Sequence, residues 1–422
     1  MPMHKDGETP QGPRWVKQSS HRNWLLGEAT RLFDFYQTNS IDPRGGFFDL
    51  DGRGEPLPTG WPPAPEPTRN LFNTTRIIYC FAIGHLMGRP GADRLVDHGV
   101  EFMWNGHRDN EHGGYHWATG YNGPTNSAKV AYGHAFTLLA AASAKAVGHP
   151  DADMLLEDIT DILFNRFWEE QHGAIHEDFQ ADWMPVESYR GQNSNMHLTE
   201  ALMAAHEVTG DGEYLRKAER IATLLIRNIT ANNHWRLPEH FKSDWSIDFD
   251  YDRDVFRPYG STIGHWLEWS RLLLQLWVSG GAKHDWMKDS AVSMFRQATA
   301  EGWDDSGGGF YFTVGWDGEP VDRDRYWWPC TEGIGAAHWL GEHVRGDFYE
   351  FWYRRVWDWC EAHLIDRELG SWHHQLNNDL SPVTDPWFGK PDLYHSLQAA
   401  LIPLVPATGS IINGLKTDGI KV

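Results

Sequence analysis

The sequence lacks the features that mark a membrane, disulfide-bonded or nucleic-acid-binding protein. No stretch approaches the roughly eighteen consecutive apolar residues that cross a bilayer. The three cysteines, Cys80, Cys330 and Cys360, are scattered and form no CxxC pair, which argues against a thiolate zinc site. Lys and Arg number 37 against 58 Asp and Glu, and the formal charge of −21 would repel nucleic acid and anionic lipid. We therefore expect a soluble, cytoplasmic protein whose partner is a small molecule.

The motifs of several enzyme classes are also missing. The sequence has no GxSxG elbow, no GxGxxG or P-loop, no HExxH motif, and no i,i+4 pair of histidines within a predicted helix. We therefore expect no nucleotide cofactor and no metal ion. Aromatic residues, in contrast, are abundant, with 23 tryptophans. Some should fill the core, and others should line a cleft and stack on the apolar faces of a sugar.

A short, hairpin-like motif recurs six times along the chain. Each copy contains small residues, an alternation of aromatic or histidine residues, and a turn. The copies start about 60 to 75 residues apart, at Gly45, Gly113, Gly173, Asn233, Gly308 and Gly370. A repeat of this length predicts one supersecondary unit that is used six times.

Each interval between hairpins has room for two helices, one apolar and one amphipathic. The predicted inner helices span 70–87, 128–144, 194–208, 262–278, 331–343 and 392–404. The predicted outer helices span 22–36, 92–106, 151–168, 213–229, 286–300 and 348–363. Six such pairs predict an all-α (α/α)6 barrel with the hairpins at one end, and an open helical solenoid is the alternative. We expect residues 21–422 to form this barrel as a single domain after a flexible leader, 1–20.

Equivalent positions of the six inner helices each carry a polar residue. These residues are Arg76, His134, His197, His265, Glu332 and His395. A polar side chain inside an apolar helix is costly unless it is hydrogen-bonded or functional. One such histidine would be more simply explained as a satisfied core residue, but six polar residues in register should meet at the barrel axis. They predict one axial site, or else a structural polar plug.

Three of the histidines also have a carboxylate one helical turn away. The pairs are His197 with Glu200, His265 with Glu268, and His395 with Asp392. A carboxylate at this spacing lies on the same helix face and can fix the tautomer of the ring or raise its basicity. For Asp392, a solvated charge is an equally good interpretation.

Three segments resemble the N-acylglucosamine 2-epimerase superfamily. They are Tyr189-Arg-Gly-Gln-Asn-Ser-Asn-Met-His197, Gly264-His-Trp-Leu-Glu-Trp269 and Asp392-Leu-Tyr-His395. The resemblance runs from about Asn23 to Pro406 and is nearest to the aldose–ketose isomerase branch, the mannose isomerase and sulfoquinovose isomerase group. It implies an (α/α)6 barrel and metal-free proton transfer next to a sugar carbonyl.

The resemblance also implies roles for single residues. His265 and His395 match the two acid/base histidines, and His197 and Glu268 match close supporters. The predicted sugar-contacting residues are Arg76, Tyr132, Asn193, Arg257, Glu332, Trp328, Trp387, Phe72 and His374. Two of these depart from the family pattern. Phe72 stands where the family often has Trp, and His374 stands where sulfonate-processing members carry Gln, which argues against a sulfonated substrate.

The implied reaction begins with opening of a cyclic aldose. A histidine then removes the C2 proton, and Arg76 or a neighbouring donor stabilises the resulting cis-enediolate. Return of the proton to C1 gives a ketose, and its return to the opposite face of C2 gives the epimer. We expect interconversion of D-mannose and D-fructose, with D-lyxose and D-xylulose as a second pair. The alternative is 2-epimerisation of mannose, glucose or a β-linked disaccharide.

Two other classes of protein stay open at this point. A glycoside hydrolase or lyase on the same barrel would use carboxylates such as Glu200, Glu268 or Glu332. A non-catalytic sugar-binding module would use the tryptophans and would not need the histidines. The sequence leaves open whether the protein is a monomer or a homo-oligomer, and which histidine takes the C2 proton.

Overall fold

Helices dominate the fold, which is seen in a computed structural model describing residues 12–57, 66–254, 256–383 and 389–420. The helices in these ranges are α1 (Ser19–Asn39), α2 (Leu71–Leu86), α3 (Ala92–Phe102), α4 (Ala131–Ala146), α5 (Ala152–Ile162), α6 (Gln192–Thr209), α7 (Gly212–Ala222), α8 (Ile263–Ser279), α9 (Trp286–Glu301), α10 (Trp327–His343), α11 (Asp347–His363), α12 (Tyr394–Leu401) and α13 (Ile411–Thr417). None of these helices is both long enough and apolar enough to span a bilayer.

The helices alternate between an inner and an outer ring. The inner ring consists of α2, α4, α6, α8, α10 and α12, each packed on the next, and α12 packs on α2 to close the ring. The outer ring consists of α3, α5, α7, α9, α11 and α1, each packed on one inner helix. The predicted (α/α)6 barrel is therefore confirmed, and the open solenoid is excluded.

Side-chain size and polarity explain which helix lies inside. In α4 all residues from 133 to 144 are buried, because small and apolar side chains let neighbouring helices approach from every side. The outer helix α5 is amphipathic instead. Its Leu155 and Ile159 are buried against the inner ring, while Asp153 and Glu157 face solvent.

Short strands gather at one end of the barrel. They are β1 (Arg69–Asn70), β2 (Ala118–Thr119), β3 (Pro124–Asn126), β4 (Lys129–Val130), β5 (Trp168–Glu169), β6 (Ala174–Ile175), β7 (Asp178–Phe179), β8 (Arg190–Gly191), β9 (His240–Phe241), β10 (Ser261–Thr262), β11 (Thr313–Val314), β12 (Pro320–Asp322), β13 (Arg325–Tyr326) and β14 (Gln375–Leu376). All pairings among them are antiparallel.

These strands connect each repeat to the next. The strand before an inner helix pairs with the hairpin of the following repeat, as β1 does with β2 and β4 with β7. The first N–H of the helix then donates to a carbonyl of that hairpin, as Leu71 donates to Trp117 and Ala131 to Glu177, both at 2.9 Å. N-terminal helix N–H groups need such external acceptors. The hairpins thus hold the N-terminal ends of the inner helices, where the predicted site residues lie.

Buried ion pairs fix the same end of the barrel. In five repeats a carboxylate at the start of the hairpin binds a basic residue just before the inner helix. The pairs are Asp42–Arg69 (3.1 Å), Asp109–Lys129 (2.6 Å), Glu169–Arg190 (2.5 Å), Asp304–Arg325 (2.5 Å) and Asp366–Lys390 (2.7 Å). The fourth repeat has the neutral residues Asn233 and Ser261 there, and their side chains donate to backbone carbonyls.

Helix ends are where the structure differs most from the prediction. The helix α10 begins at Trp327, four residues before the predicted start, because Pro329 lies in its first turn, where a missing N–H is tolerated. The outer helices α3, α5 and α7 each continue into a π-helical turn, at Met103–His107, Leu163–Phe167 and Thr223–Ile229. The terminal helix α13 was not predicted, and it buries Ile411 and Ile412.

The predicted leader, residues 1–20, is described only from residue 12. Arg14 pairs with Glu342 of α10 at 2.8 Å, and the backbone N–H of Trp15 donates to Glu350 of α11 at 2.8 Å. Val16 is buried. The chain is therefore held against the barrel from Arg14 onward, before the predicted boundary at residue 20.

We expect Lys129→Met to destabilise the barrel, because Asp109 would stay charged and buried without its cation. Removing one partner of a buried ion pair costs about 3 kcal/mol or more. The matched control is Lys145→Met, whose partner Asp153 is 84% exposed, and its effect should stay below about 1 kcal/mol. The measurement is the free energy of unfolding in urea. Equal losses in the two variants would contradict a stabilising role for the buried pairs.

Candidate active site

His395, in the first turn of α12, is fixed by a carboxylate from the neighbouring helix α10. Its Nδ1–H donates to Oε1 of Glu332 at 2.9 Å. Glu332 also accepts two hydrogen bonds from Arg271, at 3.0 and 3.1 Å. Burial lowers the pKa of His395 below its usual value, although Glu332 opposes the shift. A ring held in this way presents Nε2 on the side away from Glu332, where it can exchange protons.

His265, in the first turn of α8, is fixed by a carboxylate from a hairpin. Its Nδ1–H donates to the two carboxylate oxygens of Glu239, at 2.9 and 3.0 Å. Glu239 lies just before β9 and accepts further hydrogen bonds from the amide of Gln192 at 2.8 Å and from the N–H of Thr262 at 3.1 Å. Burial raises the pKa of Glu239, but the contact with His265 outweighs burial and holds it below its usual value.

Arg76, on α2, binds residues of two other inner helices. Its guanidinium donates to Asp392 at 3.1 Å and to the hydroxyl of Tyr132, on α4, at 2.5 Å. Of the two interpretations offered for Asp392, the solvated charge is wrong, because Asp392 is 2% exposed. Its carboxylate binds Arg76, so Glu332 fixes the tautomer of His395, and Asp392 only helps to raise the pKa of that ring. Burial raises the pKa of Tyr132 to about 12 although Arg76 opposes the shift. Arg76 and Tyr132 therefore form one hydrogen-bond donor group at neutral pH.

Glu268 shares Arg271 with two other carboxylates, and it does not bind His265 as predicted. Nη2 of Arg271 lies 3.5 Å from Oε1 of Glu268, and Nη1 lies 3.8 Å from Oε1 of Glu200. Burial and repulsion from Glu332 hold the pKa of Glu268 well above its usual value. Burial also raises the pKa of Glu332, but Arg271 and the adjacent histidine outweigh it and lower the value to about 2. Of the three carboxyl groups, Glu268 is therefore the one that most readily takes a proton.

His197, on α6, lies between the arginine pair and the carboxylate cluster. Its ring centroid is 5.1 Å from that of Tyr132, and its Nδ1 is 3.8 Å from Glu200 and from Glu268. Burial is the main cause that lowers the pKa of His197 to about 4. The ring is therefore neutral at physiological pH and can both donate and accept one hydrogen bond.

One group of side chains here has the spacing of a metal site. The ligand atoms of His197, Glu200 and Glu268 all lie within 4.8 Å of one another. Arg271 already occupies the neighbourhood of both carboxylates. A divalent cation would have to enter beside this guanidinium and displace the proton of Glu268. The three residues therefore fit an internal arginine better than they fit a metal ion.

His134 does not join the axial group, although its position in the repeat predicted that it would. Its Nδ1–H donates to the carbonyl of Val130 at 2.8 Å, and its Nε2 accepts from the N–H of Tyr115 at 3.0 Å. Its ring packs on Phe167. His134 is thus a satisfied core residue that connects α4 to the second hairpin, and Tyr132 takes the axial position of this helix.

Aromatic side chains form a wall beside the histidines. The half-buried Trp328 has its ring centroid 4.9 Å from that of His265 and 5.8 Å from that of His395. A single aromatic residue therefore contacts both histidines, which places their rings close together in the barrel. Phe72 lies further round the wall, with its ring 6.1 Å from Tyr132.

Of the remaining predicted contact residues, His374 joins this wall. His374 stacks on Trp327 with centroids 3.8 Å apart, and Trp327 in turn contacts His395 at 6.1 Å. Asn193 is half-buried in the first turn of α6. Trp387 falls outside the described residues.

Arg257 lies at the rim in a ring of acidic side chains. Its guanidinium donates to Asp178 at 2.6 Å and to Glu187 at 2.9 Å, and it stands 4.3 Å above the ring of Tyr189. Its charge is therefore already neutralised by carboxylates of this chain. Such a group has little attraction left for an anionic ligand.

Two comparisons of the sequence place these residues among known proteins. The sequence profile of the family N-acylglucosamine 2-epimerase (GlcNAc 2-epimerase) matches residues 45–399. A D-mannose isomerase of Thermobifida fusca is 42% identical over 412 residues, covering 96% of this chain and 99% of that protein. A D-mannose isomerase of Pseudomonas cannabina pv. alisalensis is 39% identical over 410 residues, covering 95% and 97%.

The fold comparison agrees with the sequence comparisons. A crystal structure of D-mannose isomerase superposes on this chain with a TM-score of 0.85 and 30% sequence identity. The superposition covers 93% of this chain and 99% of that one. The similarity therefore extends through all six repeats, including those that supply the histidines and their carboxylates.

We expect Glu239→Gln to change the tautomer of His265. In the unchanged protein the carboxylate accepts the Nδ1 proton, whereas a glutamine amide can donate to Nδ1 and move the proton to Nε2. The measurement is the ¹⁵N chemical shift of the two ring nitrogens at neutral pH, with Glu301→Gln, at the distant Arg236 pair, as the control. A ring that keeps its proton on Nδ1 in Glu239→Gln would contradict the assignment.

Proposed function

Because this chain belongs to the N-acylglucosamine 2-epimerase family, we propose that it is a metal-independent sugar isomerase that interconverts D-mannose and D-fructose. Its relatives of 42% and 39% identity are D-mannose isomerases and align over nearly the whole chain. The observation that carries the mechanism is a pair of histidines, His265 and His395, whose Nδ1 atoms are each bound by a separate carboxylate. D-lyxose and D-xylulose are the second substrate pair, since they share the reacting C1 and C2 groups.

His395 is the residue that we assign to remove the C2 proton. A general base must be unprotonated at rest, and the lowered pKa of His395 meets that condition. Glu332 directs Nδ1 away from the sugar and stabilises the imidazolium that forms when Nε2 takes the proton. Its charge is shared with Arg271, so the stabilisation stays moderate and the proton can be returned to C1.

His265 is the residue that we assign to the sugar oxygens. Among the described residues Glu239 accepts from His265 and from two neutral donors, so the carboxylate fixes the Nδ1–H of the imidazole and leaves Nε2 on the side away from it. Through Nε2, His265 can move the proton of O1 to O5 as the ring opens and the proton of O2 to O1 during enolisation. Arg76 and Tyr132 then supply the donors for the enediolate oxygens.

The acidic rim supports a neutral substrate. Arg257 is held by Asp178 and Glu187, and the formal charge of the chain is −21. A sulfonate or phosphate on the sugar would meet this negative field, and the charge of Arg257 is already offset by its two carboxylates. The residues proposed to contact the hydroxyls and apolar faces of the sugar are Asn193, Trp328, Phe72, Glu332 and His374. His197 and Glu268 are proposed to support the acid/base pair, His265 and His395.

Incubation of D-mannose with the enzyme and excess EDTA should yield D-fructose, because every acid, base and donor in the proposal is a side chain. Product analysis by NMR at early times tests this expectation and separates the two outcomes of the reaction. Direct formation of D-glucose without D-fructose would indicate an epimerase. Loss of activity on treatment with EDTA, restored by a divalent cation, would contradict the metal-independent mechanism.

His265→Ala and His395→Ala should each lower kcat by at least about 100-fold, the usual scale for a lost acid/base group. The matched control is His85→Ala, at an exposed position near the end of α2, which should keep the unchanged rate. Thermal unfolding of each variant checks that the barrel is intact. A folded variant that keeps a near-normal rate would remove that histidine from the mechanism.

A further inference from the structure

At the end opposite the hairpins the barrel has a cavity, which we call the base cavity. The space that water can occupy in it is about 20 Å³, room for one or two water molecules. It lies between the C-terminal halves of the inner helices and the segment 405–411. Apolar side chains such as Met203, Trp339 and Ile402 form part of its wall. The polar residues that line it are Tyr79, Glu200, Glu207, Gln275, Gln398 and Ser410.

Helix α6 connects this base cavity to the candidate active site. His197, Glu200, Ala204 and Glu207 follow one another at helical spacing, and the last three line the cavity. At 1.5 Å per residue, the distance from His197 to Glu207 along the axis is about 15 Å. Glu200 is the residue common to both places, since its carboxylate is 3.8 Å from Nδ1 of His197 and also borders the cavity.

One polar group in the cavity wall lacks a partner among the described residues. Gln398 is only 3% exposed, and its side-chain amide nitrogen finds no acceptor among the described residues. Tyr79 is likewise 3% exposed, and its side chain lines the cavity. The end of a barrel that served stability alone would be filled with apolar side chains. Buried polar groups beside a cavity of this kind are normally satisfied by water.

The outer end of the cavity leads to solvent. Glu207, Ser279, Pro406 and Ser410 line this end and are only half-buried, in contrast to Glu200 and Gln398 deeper inside. Ser410 holds the terminal segment in place, because its backbone N–H donates to Glu207 at 2.8 Å. A column of polar groups therefore runs from the candidate active site through the base of the barrel.

We propose that the base cavity holds water that exchanges protons between Glu200 and bulk solvent, so that the acid/base groups equilibrate with solvent while a sugar fills the mouth. This inference rests on the proposed isomerase function. In each exchange, water gives a proton to the ionised Glu200 carboxylate and regains one from bulk solvent, and Glu200 then passes its proton to Nδ1 of His197. His197 releases its other proton, from Nε2, toward the sugar and the acid/base histidines. The reverse sequence returns a proton to water, and no net charge is left in the barrel.

The test is the share of fructose that carries solvent deuterium when D-mannose reacts in D2O, measured by NMR at low conversion. Tyr79→Phe removes a hydroxyl from the cavity without changing its shape, and Ala204→Leu fills part of the cavity without removing a polar group. The matched control is Tyr36→Phe, at a buried tyrosine that contacts Ser371 far from the cavity. We expect Tyr79→Phe and Ala204→Leu to lower the deuterium share by at least about threefold. Their kcat should change less, and Tyr36→Phe should match the unchanged enzyme.

An unaltered deuterium share in folded Tyr79→Phe and Ala204→Leu would overturn the inference, because exchange would then take place through the mouth. A fall in kcat without a change in that share would assign both residues to stability alone. Unchanged enzyme whose fructose carries no deuterium would also overturn it. Failure of the unchanged enzyme to form fructose at all would instead contradict the proposed isomerase function.

Discussion

The buried charge of Arg271 is the interaction on which the site end of the barrel depends. This guanidinium lies in the barrel core and contacts Glu332, Glu268 and Glu200, which come from three different inner helices. Without Arg271, these three carboxylates would lie close together in the buried core without a cation, and each unpaired buried charge costs several kcal/mol. With it, Glu332 stays ionised and holds His395. The fixed geometry of one proposed base is therefore a consequence of charge balance in the barrel core.

The two histidines differ because the repeats that supply their carboxylates differ. Glu332 comes from the inner ring and is shared with a cation, whereas Glu239 comes from the fourth hairpin and binds His265 with only neutral donors beside it. The fourth repeat is also the one that lacks the buried ion pair found in the other five, with Asn233 and Ser261 in its place. A sequence repeat thus provides the frame, and departures from the repeat provide two unequal proton-transfer groups.

Regular features of the sequence predicted the architecture well. The six hairpins, the apolar inner segments and the polar residue in each inner helix are all periodic, and the ring closes as the number of repeats implied. The hydrogen-bond partners of the site residues could not be predicted from this periodicity. They depend on which hairpin or neighbouring helix packs against each inner helix, and the repeat pattern does not give this. Glu239, the partner of His265, was not predicted. A signal was present, because Glu239 occupies the same position in its hairpin as Glu177, and the backbone carbonyl of each accepts the first N–H of an inner helix. His134 was misplaced because sequence register does not tell which face of the helix meets the axis.

The contacts of the carboxylates also explain why this barrel suits proton transfer rather than glycoside hydrolysis. A hydrolase needs one carboxyl group free to protonate the leaving oxygen and another free to attack or to activate water. Here Glu332 is bound by Arg271 and His395, Glu200 by Tyr394, and Glu268 is buried and lies beside Arg271. Each would have to leave these contacts to reach a glycosidic bond. The imidazole rings, in contrast, have one nitrogen fixed and the other directed away from its carboxylate, which is the arrangement that moving a proton between two adjacent carbons requires.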